Sequence, residues 1–384
     1  MIGIFNDNFP PVLDGVALTA KNYADWFSRR GEQVAVITPY APDMPQTPYP
    51  IYTYQSVPLL MRKPYRLGLP QIDYAFHSRL QKIPFRLVHA HCPFTSGSLA
   101  LKTAQKLNIP LVATFHSKYR QDFERAIPSA YIVDTVIKHI IAFYEKAYEV
   151  WIPQASVEPT LREYGYKGRV TVVENGNDLL TTDQQLAAIR RQMRDILHIG
   201  ANETMFLYVG QHIWEKNIGF SLDALAKIKE QPFKMYMIGT GYAVEGIRHK
   251  IRDLQLEDKV VMVGVIRDRE LLKRYYAAAD LFLFPSLYDT DGIVIHEAAA
   301  LQTPSVLLSG STASTNISDR KTGFLTPNNA DAYAQLLKYC INHPDELRAV
   351  GLRASRTIAR PWEDVAREVL ERYKVICERY KREH

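Results

Sequence analysis

Cysteine is scarce in this chain: Cys92, Cys340 and Cys377 are the three in 384 residues. Thiols so few and so scattered build neither a disulfide framework nor a zinc site, and a reducing cytosol is the expected setting. No uninterrupted apolar run reaches the ~18 residues that a membrane span needs. The opening, MIGIFNDNFPP, lacks a basic n-region and a long apolar stretch, so it reads as a first strand and not as a leader. Neither sign of charge dominates: 47 Lys and Arg against 41 Asp and Glu leave a formal +6. Basic residues form no stripe with base-stacking aromatics across a known module, which removes nucleic acid as a partner. What is present is globular, with 47% hydrophobic and 23% charged residues. At this length two domains are expected.

Two halves of the chain open alike. IGIFNDNFPPVLDG passes from a strand into a glycine loop, and VALTAKNYADWFSRRG follows with Val16, Ala20, Tyr23 and Phe27 at helical spacing. EQVAVITP supplies the next strand. The scheme repeats in MFLYVGQHIWEKN, a helix bearing Ile218, Leu222, Leu225 and Ile228, and FKMYMIGTG. Further strands read at LVHAH, PLVATFH, EVWIP, RVTVVEN, VVMVG, LFLFPS and PSVLL. Strand–helix–strand units at this spacing predict parallel sheets with helices on both faces. The chain is thus read as two Rossmann-like α/β domains, residues 1–185 and 186–361, with the polar stretch 178–200 as their junction. An amphipathic helix from about Trp362 to residue 384 is expected to cross back onto the first domain. Open parallel sheets bind ligands beyond the carboxyl ends of their strands, so the expected site is a cleft across which the two sheets face.

Between residues 61 and 86 there are six basic residues, Arg62, Lys63, Arg66, Arg79, Lys82 and Arg86, against one acid, Asp73. Leu67, Leu69, Tyr74 and Phe76 are interleaved with them. A solvated loop and helix face has this composition. So does a contact with an anionic membrane, where basic and apolar groups add their attractions. On the second reading Arg62, Lys63 and Arg66 meet the surface.

The densest chemistry lies in LYDTDGIVIHEAAALQTP, residues 287–304, where Asp289 and Glu297 stand eight positions apart. LFLFPS before it is a buried strand, and a small-residue helix begins near Ile293. With VGQHIWEKN, MIGTG, VVMVGVIRDRELLKRYYAAADLFLFPS and KTGFLTP, and more loosely PPVLDGVA, VHAHCPF and TFHSKY, this stretch resembles the retaining glycosyltransferases of family 4, over nearly the whole chain. Those enzymes have the GT-B fold. The resemblance implies that Glu297 grips the ribose hydroxyls of a nucleotide-sugar and that Asp289 addresses the transferred sugar. A carboxylate can accept from two vicinal hydroxyls at once. It further implies that Lys216 serves the diphosphate, with Gln211, Gly239, Gly241 and Gly292 around the donor. The helix starting near Ile293 points backbone N–H groups and a positive dipole end toward phosphate. In the first domain Gly15 would let its loop approach the diphosphate or acceptor, and His116 would face the sugar. The plainer readings are helix-start acids, a capped turn at Asp14–Gly15, and a packed histidine. His89 and His91 point the same way along a strand and, lacking a third ligand, read as packing.

Several positions depart from the family pattern: Asp289 for glutamate, Gln211 for arginine, Asp291 for an aromatic, Gln302-Thr303-Pro304 for a GTP turn, and Thr315 for an acid. His212, if protonated, would restore one charge beside the diphosphate. The DTD letters at Asp289–Asp291 do not sit where a metal motif would, so no cofactor or metal is expected. The reading is a retaining glycosyltransferase. It would move a sugar from a UDP-linked donor to a membrane lipid or glycan, from the cytoplasm at the inner face of the membrane. A non-catalytic binding protein with a degenerate donor site is the alternative; an epimerase of like architecture has only fold analogy behind it.

Overall fold

A computed structural model describes residues 1–384 apart from Leu13, residues 60–64 and Asp291. Arg62, Lys63 and Asp291, singled out above, lie outside the described residues. The chain divides into two compact units, Met1–Asn175 with Trp362–His384, and Gly176–Pro361.

In the first unit the elements run β1 (Ile2–Phe5), α1 (Gly15–Arg29), β2 (Val34–Pro39), β3 (Ile51–Tyr54), β4 (Ser56–Pro58), β5 (Arg66–Gly68), α2 (Tyr74–Leu80), β6 (Leu87–Ala90), α3 (Thr95–Leu107), β7 (Leu111–Thr114), α4 (Tyr119–Ala126), α5 (Ala130–Tyr144), β8 (Glu149–Ile152), α6 (Glu158–Glu163) and β9 (Val170–Val172). Its sheet has seven strands in the order β3-β2-β1-β6-β7-β8-β9, every pairing parallel. Strands β1, β2, β6 and β7 are buried along their whole length. That is why they read as unbroken apolar runs: helices cover both faces of the sheet. Strand order turns back between β1 and β6, which places the loops after these strands at the sheet's switch point.

The second unit runs α7 (Asp183–Ile196), β10 (Thr204–Val209), α8 (Ile218–Ala226), β11 (Phe233–Ile238), α9 (Val244–Asp253), β12 (Val260–Gly264), α10 (Arg269–Ala278), β13 (Leu281–Phe284), α11 (Ile293–Ala300), β14 (Ser305–Leu308), β15 (Phe324–Thr326), α12 (Ala330–Asn342) and α13 (Pro344–Thr357). Its six-stranded sheet is ordered β12-β11-β10-β13-β14-β15 and parallel throughout. Here the switch point falls between β10 and β13.

The unit changes at Asn175, earlier than the residue 185 read from the sequence, because α7 belongs wholly to the second unit. Arg190 and Arg194 of α7 both pair with Asp280. They also donate to the last carbonyls of α10, at Ala277, Ala278 and Ala279, which otherwise lack intrahelical partners.

The last helix, α14 (Trp362–Glu383), packs on the first unit, as its amphipathic pattern predicts. Trp362, Val365, Ala366, Val369, Leu370, Tyr373 and Ile376 are its buried side chains, a stripe at helical spacing. Tyr373 stacks on Trp151 at 5.5 Å between ring centroids, and Arg379 pairs with Glu149 at 2.7 Å.

Candidate functional site

Three loops leave the carboxyl ends of adjacent strands in the second unit. The loop after β10 carries Gln211, His212 and Lys216, that after β11 carries Gly239 and Gly241, and that after β13 carries Asp289 and Gly292. Gly239 has φ of 137°, and a Cβ there would lie 1.9 Å from the Gly210 carbonyl oxygen. One at Gly241 would lie 2.3 Å from that of His212. These glycines therefore let the turn lie against the Lys216 loop. The contact is fastened by His212 N–H to Thr240 O at 2.9 Å and Ala243 N–H to His212 O at 3.0 Å. Gly292 takes φ of 68° at the start of α11, a left-handed conformation that other residues adopt only at a cost.

Lys216 Nζ and Asp289 Oδ1 form an ion pair across the switch point, and both side chains are largely buried. Lys216 also lies 5.3 Å from the Tyr288 ring centroid. The Asp289 turn is held by Ser286 Oγ, which accepts from Tyr288 N–H at 3.2 Å and Asp289 N–H at 3.4 Å. Asp289 Oδ2 is buried with no hydrogen-bond partner among the described residues. His212 is fully buried, and burial lowers its pKa to about 4. Burial therefore favours the neutral ring near pH 7. Gln302 donates to Asp183 at 2.6 Å, beyond the far end of α11 from Asp289.

Glu297 is 3% exposed, with both oxygens engaged. Arg269 Nη1 meets Oε1 at 2.8 Å, and the Tyr276 hydroxyl donates to Oε2 at 2.8 Å. Arg269 also donates to Asp178 at 2.5 Å. Sequence reasoning missed these partners. The signal was available: Arg269 and Tyr276 lie seven apart on α10, two turns along one face.

In the first unit His116 follows β7. Its Nε2 lies 3.0 Å from His91 Nδ1, the rings stacked at 5.3 Å. Burial, then the His89 and His116 rings, hold the His91 pKa well below its usual value. His91 Nε2 has no partner among the described residues. The arrangement that leaves no buried N–H of His91 unpaired has His91 donate from Nδ1, so that His116 carries its proton on Nδ1. His89 is packed as expected: its ring nitrogens meet Tyr373 OH at 2.5 Å and Thr114 Oγ1 at 2.7 Å. Asp14 caps α1, accepting from Ala17 N–H at 2.7 Å, while a Cβ on Gly15 would meet open space. Arg66 is folded across the β4–β5 hairpin, donating to Ser56 Oγ at 2.7 Å and Ser56 O at 3.1 Å. No helix among the described residues is long and apolar enough to cross a membrane.

The sequence profile of Glycosyltransferase Family 4 matches residues 13–179, and that of Glycosyl transferases group 1 matches residues 189–356. Alpha-monoglucosyldiacylglycerol synthase of Streptococcus pneumoniae is 25% identical over 351 residues, 90% of this chain and 79% of its own. The protein of the same name from Acholeplasma laidlawii is 24% identical over 359 residues, 88% of this chain and 87% of its own. Sucrose-phosphate synthase of Thermosynechococcus elongatus has the same fold, with a TM-score of 0.82 at 22% identity over 98% of both chains. With both units matched, the chain belongs to the family 4 glycosyltransferases of GT-B fold and is a sugar-transferring enzyme.

Proposed function

We propose that this enzyme transfers a sugar, with retention of anomeric configuration, from a UDP-linked donor to a membrane lipid of the diacylglycerol class. The observation that carries the donor side is the meeting of Lys216 and Asp289 at the switch point of the second sheet. Charge grows on a diphosphate as it departs, and a preorganised cation beside it is the largest expected contribution to rate. The N-terminus of α11 adds backbone N–H groups to the same end of the sheet. Asp289 already neutralises Lys216, so an arriving diphosphate must share or displace that carboxylate. With Gln211 in place of an arginine and His212 neutral, Lys216 is the cation on which the diphosphate reading rests. Glu297 would hold the ribose of that donor. Two relatives named alpha-monoglucosyldiacylglycerol synthase support the lipid acceptor, as do the exposed apolar residues of the β4–β5 hairpin.

The test begins with a thermal-shift screen against UDP-, GDP- and ADP-sugars in EDTA. A ligand at one hundred times its Kd stabilises the native state by about 2.7 kcal/mol. UDP-sugars should therefore raise the melting temperature by several degrees, and Lys216→Ala should abolish the response. The UDP-sugar that binds is then supplied with diacylglycerol vesicles, and the anomer formed is read by NMR. A response to GDP- or ADP-sugars alone would overturn the uridine assignment. Transfer to soluble glycans but not to vesicles would overturn the lipid one.

A further inference from the structure

Each acid of the donor signature is met by one cation, Asp289 by Lys216 and Glu297 by Arg269. Lys216 has a stated task; Arg269 has none. It opens α10 behind the cap made by Asp268, whose Oδ1 accepts from Glu270 N–H at 2.9 Å. From one helix face Arg269 and Tyr276 reach the two oxygens of a single carboxylate, at 2.8 Å each. A carboxylate has about four lone-pair directions. Two are taken by these donors, so the carboxylate cannot rotate without breaking one of these bonds, and two acceptor directions remain. Asp178 fixes the other edge of the guanidinium at 2.5 Å, so the fork itself cannot swivel. Burial opposes the charge on Arg269, but Glu297 and Asp178 hold its pKa above the ordinary value, and the cation persists at any working pH. Stability is a weak account of this arrangement, because a buried ion pair is often no better than an apolar replacement of similar volume.

We propose that Arg269 is a positioning residue of the donor site: with Tyr276 it sets the plane of the Glu297 carboxylate so that the two remaining lone pairs meet the 2′- and 3′-hydroxyls of the nucleotide ribose. It thereby governs how strongly the enzyme discriminates against nucleotides that lack the 2′-hydroxyl. The inference rests on the reading of Glu297 as the ribose ligand, and the experiment separates the two. Dissociation constants of UDP and 2′-deoxy-UDP are measured by calorimetry on the full chain, with melting curves to show that each variant is folded. A hydrogen bond to a charged group implies that wild type prefers UDP by about tenfold to a hundredfold. Glu297→Gln should bring the ratio to within a few-fold of unity. Arg269→Gln should do the same although Glu297 is intact. Arg269→Lys keeps the charge and much of the volume but has a single point donor for two carboxylates; it should fall between, and it decides the matter if Arg269→Gln does not fold. An unchanged ratio in a folded Arg269 variant, with Glu297→Gln collapsed, overturns the positioning role and leaves Glu297 in place. An unchanged ratio in Glu297→Gln, or no preference in wild type, removes the ribose reading and the proposal with it.

Discussion

Asp289 holds the lysine that a diphosphate would need, and this sets opposite effects on binding and on turnover. Asp289→Asn should release Lys216 and tighten UDP binding several-fold, while cutting kcat by tenfold or more if the carboxylate also addresses the sugar. Asp289→Glu should not raise the rate, since the Ser286 turn has seated the shorter side chain. A mere helix-start acid would behave otherwise: its removal costs about 0.5–2 kcal/mol of stability and leaves the folded fraction fully active. Calorimetry with UDP and initial rates on the same variants separate these cases, and UDP binding no tighter in Asp289→Asn would show that the ion pair does not compete with phosphate. Residue types at the site were legible in the sequence. Occupancy was not. The resemblance offers Glu297 as a ribose ligand, and only folding brings Arg269 and Tyr276 of the preceding helix onto it. Likewise His212 looked like a spare cation until its complete burial made protonation costly.

At the scale of elements, the β4–β5 hairpin and the turn into α2 carry an apolar surface. Val57 and Leu67 are each 45% exposed, and Tyr74 is 83% exposed, with Leu59 and Ile72 also outward. Arg66 braces the hairpin through Ser56, so its neutralisation should disturb the shape as well as the charge. The full chain should therefore co-sediment with anionic vesicles. Each basic residue near the surface adds about 1 kcal/mol, screened over ~8 Å at physiological salt, so binding should fall as salt rises and fall again when Arg62, Lys63 and Arg66 are neutralised together. Vesicle binding that is absent at low salt would sink the membrane reading of this segment. The hairpin itself could not be read beforehand: its strands span three residues each, Ser56–Pro58 and Arg66–Gly68, too short for alternation to register. The edge strands β3 and β15 also escaped: β3 is only partly buried over Ile51, Tyr52 and Thr53, and β15 spans three residues. Central strands, buried on both faces, were legible because a parallel sheet under helices demands continuous apolar runs.

For the whole molecule, the first unit is built from two separated pieces of chain joined through α14. Tyr373 is the main rivet: it stacks on Trp151 and its hydroxyl meets His89. Tyr373→Ala should cost about 3–5 kcal/mol, as large aromatic truncations in a core do. Tyr373→Phe keeps the ring and should cost about 1–3 kcal/mol, the penalty of leaving the buried His89 nitrogen unpaired. Denaturant midpoints for the two variants test this ordering, and a Tyr373→Ala protein as stable as wild type would show that α14 is not needed to complete the first unit. The discontinuity also bears on synthesis. Residues Gly176–Pro361 are translated between the two pieces, which at ribosomal rates takes on the order of ten to forty seconds. Throughout that interval the apolar bed of α14, including Trp151, Tyr23 and Phe27, stays uncovered on the nascent chain. The half of the protein that is made first is thus the half that is finished last, and a chaperone would find its binding surface there.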